Sequence, residues 1–215
     1  NLSIAEIQKH FSYPVYVEYG ANAAGFGTVW RSKELKDAVY VIVTNNGVAG
    51  SIILNNEIYH GRTGRAGAFG HITLNPSGRK CFCGACGCWS AYNALNALTG
   101  LDETDLDGFF EKVNNEDPDA IAKWDEYLTY FADGLSTVSM SFDIDIVIGG
   151  PLAVYLEPWL DTIISKMQSR PTLNGENISI HLDTKSESPM AEGVALMIVA
   201  KFLNDELDNF RFDEL

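Results

Sequence analysis

His71, Cys81, Cys83 and Cys88 are the residues of this sequence best suited to chemistry. A Cys-x-Cys pair presents two thiolates to one ion from a tight loop. Gly84 and Gly87 free the backbone to turn back and present Cys88, and His71 closes the set from the preceding segment. Three thiolates with one imidazole match the tetrahedral sulfur and nitrogen set that zinc prefers, and they leave no open coordination position. A site of that kind is structural and not hydrolytic. Cys86 is a fifth candidate, either in place of Cys88 or as a free thiol. Reduced core cysteines or a local disulfide are the alternatives to a metal. All four cysteines fall between Cys81 and Cys88, whereas a disulfide framework spreads them to staple distant segments.

The 215-residue chain carries a formal net charge of −14 and is 46% hydrophobic. It is long enough to bury a core. Its acidity repels phosphate backbones and argues against nucleic-acid binding by this segment. No apolar run reaches the roughly 20 residues of a membrane helix. The N-terminus lacks the basic and apolar regions of a signal peptide. The expected location is therefore the reducing cytoplasm, where disulfides are rare. The absence of an initiator Met suggests a fragment.

The elements that must position these residues follow from apolar patterning. Asn1–His10 reads as a helix, Tyr13–Val17 as a short strand and Ala21–Trp30 as a packed helix. Val39–Val43 is a continuous apolar run, as in a strand covered on both faces. Asn45-Asn46-Gly47 is a turn, Val48–Leu54 resumes the strand, and Glu57–Tyr59 completes a β-meander. Asp37 belongs to a polar turn before the Val39 strand. Gly61–Gly70 is a loop carrying Arg62 and Arg65, a solvated face or a contact for an acidic ligand group. Helices are expected over Ser90–Leu98 and Asp102–Lys112. A long helix starts at Pro118, with Ile121, Trp124, Leu128, Phe131, Leu135 and Val138 forming one stripe. A buried strand at Asp143–Ile148, a helix at Leu152–Ser169, a strand at Asn177–Leu182 and a helix at Met190–Leu203 indicate parallel βαβ units.

The order Gly70-His71, Pro76-x-Gly78 and Cys81-x-Cys83-Gly84-x-x-Gly87-Cys88 resembles the zinc motif of the ROK family of repressors, open reading frames and sugar kinases. Tyr13-Pro14-Val15-Tyr16-Val17-Glu18 followed by Ala21-Asn22-Ala23-Ala24 is similar to the segment bearing that family's Asn-Asp-Ala-Asn element. Ile146–Gly150 is similar to its late strand and glycine pair, and Gly193-Val194-Ala195 to the start of its closing helix. The resemblance covers essentially the whole chain. It implies an α/β, actin-like ATPase (ribonuclease H-like) fold of two lobes around a cleft. Residues 1–36 would end the first lobe, 37–187 would form the second lobe with the zinc loop, and 188–215 would be the closing helix and tail.

The resemblance also shows departures. The family's kinase base and its preceding Asn fall at Gly20 and Tyr19, and glycine cannot accept a proton. Two sugar-binding Glu positions hold Ala68 and Ser90. The phosphate loop reads Asn45-Asn46-Gly47 in place of Gly-Thr-Gly, and the first phosphate loop of the kinases lies upstream of this segment, so no ATP is expected here. In the family the zinc histidine also faces the sugar, a second role for His71. The resulting expectation is a non-catalytic regulator fragment with structural zinc. A sugar or sugar-phosphate effector would sit among Tyr19, Asn22, Asn45, Asn46, Ala68, His71 and Ser90. DNA would be bound only through an upstream helix-turn-helix domain, and the protein would be a homo-oligomer with no membrane contact. A sugar kinase, with Asp37 as base, and a zinc-stapled module without a ligand are the competing readings.

Overall fold

Val39 to Val43 is apolar throughout because both of its faces are covered. Val39, Val41 and Val43 face the larger core, and Ala38, Tyr40 and Ile42 face a smaller one. This strand, β1 (Ala38–Thr44), is the centre of the sheet. The computed structural model describes residues 3–100, 105–186 and 188–209. β2 (Gly47–Leu54) pairs antiparallel with β1, and β3 (Glu57–Ile58) pairs antiparallel with β2. β4 (Asp145–Gly149) and β5 (Ile180–Leu182) extend the other side in parallel. The order β3-β2-β1-β4-β5 combines the expected meander with the expected parallel units.

Helices cover both faces. α1 (Ile4–Gln8) is a short N-terminal helix capped by Ser3. α2 (Gly20–Arg31) lies on the smaller core. The last helix, α9 (Pro189–Asn209), packs on α2 through glycines. A Cβ on Gly27 would stand 2.9 Å from the Gly193 Cα, and one on Gly193 would fall on the Ala23 carbonyl.

The opposite face holds α3 (Ser90–Asn93), α4 (Asn96–Thr99), α5 (Leu106–Asn114), α6 (Pro118–Phe142), α7 (Ala153–Leu156) and α8 (Leu160–Gln168). Pro118 opens α6, and the Asp117 side chain accepts from the Ala120 N–H at 2.9 Å, satisfying a donor the first turn leaves free. Trp124, Leu128, Phe131, Leu135 and Val138 are buried along it. Ile121 is exposed, so the stripe begins one turn later than its spacing predicts.

Several boundaries differ from the sequence reading. Tyr13–Val17 joins no sheet; Val15 donates to the Gln8 side chain at 2.7 Å, and Tyr13, Tyr16 and Val17 are exposed. Ser90–Leu98 is two helices, because Leu95 and Asn96 donate to the Thr44 and Asn45 carbonyls at the end of β1. Leu152–Ser169 is interrupted by a 3-10 turn, Glu157–Trp159, where Pro158 lacks an N–H. The strand expected at Asn177–Leu182 spans only Ile180–Leu182. Residues 101–104, which include the start of the expected 102–112 helix, lie outside the described residues.

Candidate functional site

After β3 the chain has little regular structure until α3, and this stretch carries the cysteines. A 3-10 turn, Phe69–His71, seats His71. Gly70 allows that turn to lie on β2, since a Cβ there would overlap the Val48 carbonyl and the Ser90 hydroxyl. The cysteine loop closes by backbone bonds. Gly84 N–H donates to the Cys81 carbonyl at 3.0 Å, Cys81 N–H to Ala85 at 2.8 Å and Gly87 N–H to Arg79 at 2.7 Å. Gly87 has φ 77°, and a Cβ on it would fall on the Asn75 carbonyl oxygen. Glycine is required there on both counts.

This backbone brings His71, Cys81, Cys83 and Cys88 together, with ligand atoms all within 4.8 Å of one another. Cys83 Sγ and Cys88 Sγ are 3.7 Å apart, and Cys81 Sγ and His71 Nδ1 are 3.9 Å apart. Two sulfurs each ~2.3 Å from one ion at the tetrahedral angle stand about 3.8 Å apart, and a sulfur and a nitrogen about 3.6 Å. The spacings thus fit a cation in the middle and are too long for a disulfide. Cys81 and Cys88 are buried, whereas Cys83 and Cys86 are exposed. Cys86 stands outside this group, its backbone bridging Lys80.

The thiols feel their surroundings differently. Burial, then the neighbouring sulfurs, pushes Cys88 up to about 12. Hydrogen bonding by the Ala85 backbone, with help from Cys81, lowers Cys83. A bound cation would favour the thiolate at both, opposing the burial of Cys88 and adding to the lowering of Cys83. The four residues can hold a metal ion, and the chemistry such an ion supplies in a closed set is cross-linking of the loop.

The loop is tied to α6. Arg79 donates to Glu126 at 2.8 Å and lies over the Tyr92 ring, which stacks on Tyr130 with centroids 3.8 Å apart. Both Arg79 and Glu126 are about half exposed, so the pair contributes no more than ~1 kcal/mol.

The residues expected to line a single ligand cleft are dispersed, with His71 in the metal set. Asn45 and Asn46 border a groove of about 970 Å³ at the ends of the parallel strands, with Gly150, Asp183 and Lys185. Asn46 and Ser90 border a second groove of about 570 Å³ beside the metal loop. Ser90 is buried, and its hydroxyl accepts from the Val48 N–H at 3.0 Å. Tyr19 caps α2 and is exposed, and Asn22 is buried, donating to Glu18 at 2.8 Å. Ala68 precedes the 3-10 turn and borders neither groove. Asp37 accepts from the Asn55 N–H at 2.6 Å, which holds the β2–β3 turn. Arg62 and Arg65 lie exposed on the glycine-rich loop.

Two groups escaped the sequence reading. Asp183 accepts from Thr28 Oγ1 at 2.6 Å and pairs with Arg31 at 3.5 Å, and Arg31 also pairs with Glu192 of α9. Thr28 and Arg31 are more than 150 residues from Asp183 in sequence, and no local pattern joins them. Lys80, Phe82 and Asn96 line the second groove. The available signal for Phe82 was an aromatic residue inside the Cys-x-Cys pair.

The profile of the ROK family matches residues 4–194. The chain belongs to the ROK family. Over 81 residues, 37% of this chain and 21% of the relative, it is 33% identical to the xylose repressor of Bacillus subtilis (strain 168). Over 177 residues, 79% of this chain and 58% of the relative, it is 29% identical to the N-acetylmannosamine kinase of Haemophilus influenzae (strain PittEE). Its structure is similar, with a TM-score of 0.74 and 26% identity, to a ROK family glucokinase from Streptomyces griseus in complex with glucose and AMPPNP. That match covers 90% of this chain and 70% of the glucokinase. The chain therefore spans between about a fifth and three fifths of these two curated ROK relatives, which are a repressor and a kinase. Its α/β fold is that of the actin-like ATPases. Among the described residues, no helix is long and apolar enough to cross a membrane.

Proposed function

We propose that this ROK chain is the non-catalytic, sugar-sensing and oligomerisation part of a transcriptional regulator, with a structural zinc ion held by His71, Cys81, Cys83 and Cys88. Residues 1–36 would close a first lobe, 37–187 form the second, and 188–215 return as the closing helix and tail. One observation carries the reading. The cysteine and histidine set is complete and correctly spaced, while the positions similar to the family's acids hold Gly20, Ala68 and Ser90. At Gly20 the space is also filled, because a Cβ would stand 2.7 Å from Met190 Sδ. A carboxylate at this position requires Met190 to move, and no proton acceptor stands in its place.

The net charge of −14 argues against DNA binding by this chain itself, so in this reading DNA binding falls to a separate basic domain. The cysteine-rich set supports a cytoplasmic location, where thiols stay reduced. The kinase reading draws on the similarity to the N-acetylmannosamine kinase. Incubating the purified protein with ATP and glucose, xylose or N-acetylmannosamine separates the two. Calorimetric sugar binding without phosphorylated product supports the sensor. Turnover of any of these sugars overturns it.

A further inference from the structure

We propose that the groove between the Asn45-Asn46 turn and the metal loop takes an anionic sugar, with Lys80 meeting the anion and Phe82 stacking on the sugar ring. This rests on the sensing reading above and names the class of effector. The groove encloses about 570 Å³, well within the range of small-molecule sites. Its lining includes Lys80 and no Asp or Glu, although the chain holds 29 acidic residues against 15 Lys and Arg. A negative ligand group therefore meets a cation here without an adjoining carboxylate to repel it.

The two adjacent basic residues have different commitments. Arg79 is engaged by Glu126 and Tyr92, toward α6. Among the described residues Lys80 forms no salt bridge. A lysine ammonium is a compact donor suited to phosphate or carboxylate oxygens.

Phe82 is 74% exposed, more than any other large apolar side chain among the described residues. Its loop is not free to tuck it away. Cys81 and Cys83 flank it as members of the metal set, and its ring meets that of His71 edge-on with centroids 5.3 Å apart. The ring is thus held over the groove before any ligand arrives, and a sugar's apolar face covers it. Asn46 and Asn96 offer amide donors and acceptors to hydroxyls. Ser90, already bonded to Val48, is floor and not contact.

The test is calorimetry on the zinc-loaded protein at low salt. Its probes are glucose, N-acetylmannosamine, their 6-phosphates, glucuronate and inorganic phosphate. An anionic sugar is expected to bind about ten- to a hundredfold tighter than its neutral parent, as a charged hydrogen bond implies. Whichever of the 6-phosphates or glucuronate binds identifies the anion. Lys80→Gln should erase that preference and Lys80→Arg retain most of it. Phe82→Ala should weaken neutral and anionic sugars alike. Unchanged zinc content and melting temperature in each variant establish that the loop is intact. Should a variant fail this control, the wild-type comparison of anionic and neutral sugars still decides. Neutral sugars binding as tightly as anionic ones, or a preference untouched by Lys80→Gln, overturns this inference and leaves the sensor standing. Inorganic phosphate binding as tightly as a sugar phosphate overturns it too. Binding of none of these compounds overturns both readings.

Discussion

Replacing Cys88 with Ser, and separately Cys86 with Ser, tests the metal centre where the structure is most specific. Cys88 is 1% exposed, and its sulfur lies 3.7 Å from that of Cys83, the separation one tetrahedral ion imposes. Cys86 is exposed and stands outside the ligand group. Metal that binds only the folded state stabilises it by RT ln(1 + [L]/Kd), about 4 kcal/mol at a thousandfold excess over Kd. For a domain of this size each kcal/mol is worth about 2–4 °C in Tm, so zinc should raise the Tm by about 8–16 °C. Cys88→Ser should lose that increment together with its zinc. Cys86→Ser should keep both, changing stability by no more than ~0.5 kcal/mol. The assay pairs thermal unfolding, with and without added zinc after chelation, with elemental mass spectrometry. Stoichiometric zinc and an undiminished Tm in Cys88→Ser, or loss of zinc in Cys86→Ser, refutes the assignment.

Gly87→Ala should destabilise the protein by about 2 kcal/mol or more, from backbone strain at positive φ and overlap with Asn75, and should lower zinc content; unfolding and metal analysis check both. Trp124→Ala, which empties the aromatic cluster between α5, α6 and Trp159, should cost about 3–5 kcal/mol in denaturant unfolding without releasing zinc. Glu18 gives a pH test. Burial pushes its carboxyl up, but hydrogen bonds from His60, Asn22 and the Tyr19 N–H together hold it below the usual carboxylate range. The unfolded chain then binds the proton more readily, so this stability is complete above the ordinary Glu range and is lost as pH falls through the lowered value. Tm should therefore fall with acidification below pH ~5 less steeply in Glu18→Gln than in the wild type. The protein alone should leave a DNA duplex unshifted in a gel, because its net charge is −14.

Local chemistry was readable where local chemistry decides the structure. Four metal-binding residues within eighteen positions, the Asn45-Asn46-Gly47 turn and the Pro118 helix start each carry their own cause. Tyr13–Val17 has the composition of a strand, but strand propensity has effect only against a sheet edge, and this segment meets the Gln8 side chain instead. The break between α3 and α4 depends on carbonyls at the end of β1, about fifty residues earlier. No helical periodicity reports that. The cleft residues were inferred from resemblance, and the fold distributes them: Asn46 borders both grooves, Ser90 is turned to Val48, and Asn22 is occupied by Glu18. The Asp183–Arg31–Glu192 network joins the residue after β5 to α2 and α9, and its existence follows from topology alone.

The glycine crossing of α2 and α9 sets an order of events during synthesis. α2 ends at Arg31 and α9 at Asn209, so the second helix leaves the ribosome long after the first. At ~5–20 residues per second the interval is roughly 9 to 36 seconds. During that time α2 can settle on β1 and β2, but the surface at Ala23, Ala24 and Gly27 faces water with its partner not yet made. Small residues suit that delay, since a surface of Ala and Gly offers a passing chain little to adhere to, and it becomes adhesive only when another small-residue helix comes close enough to touch its backbone.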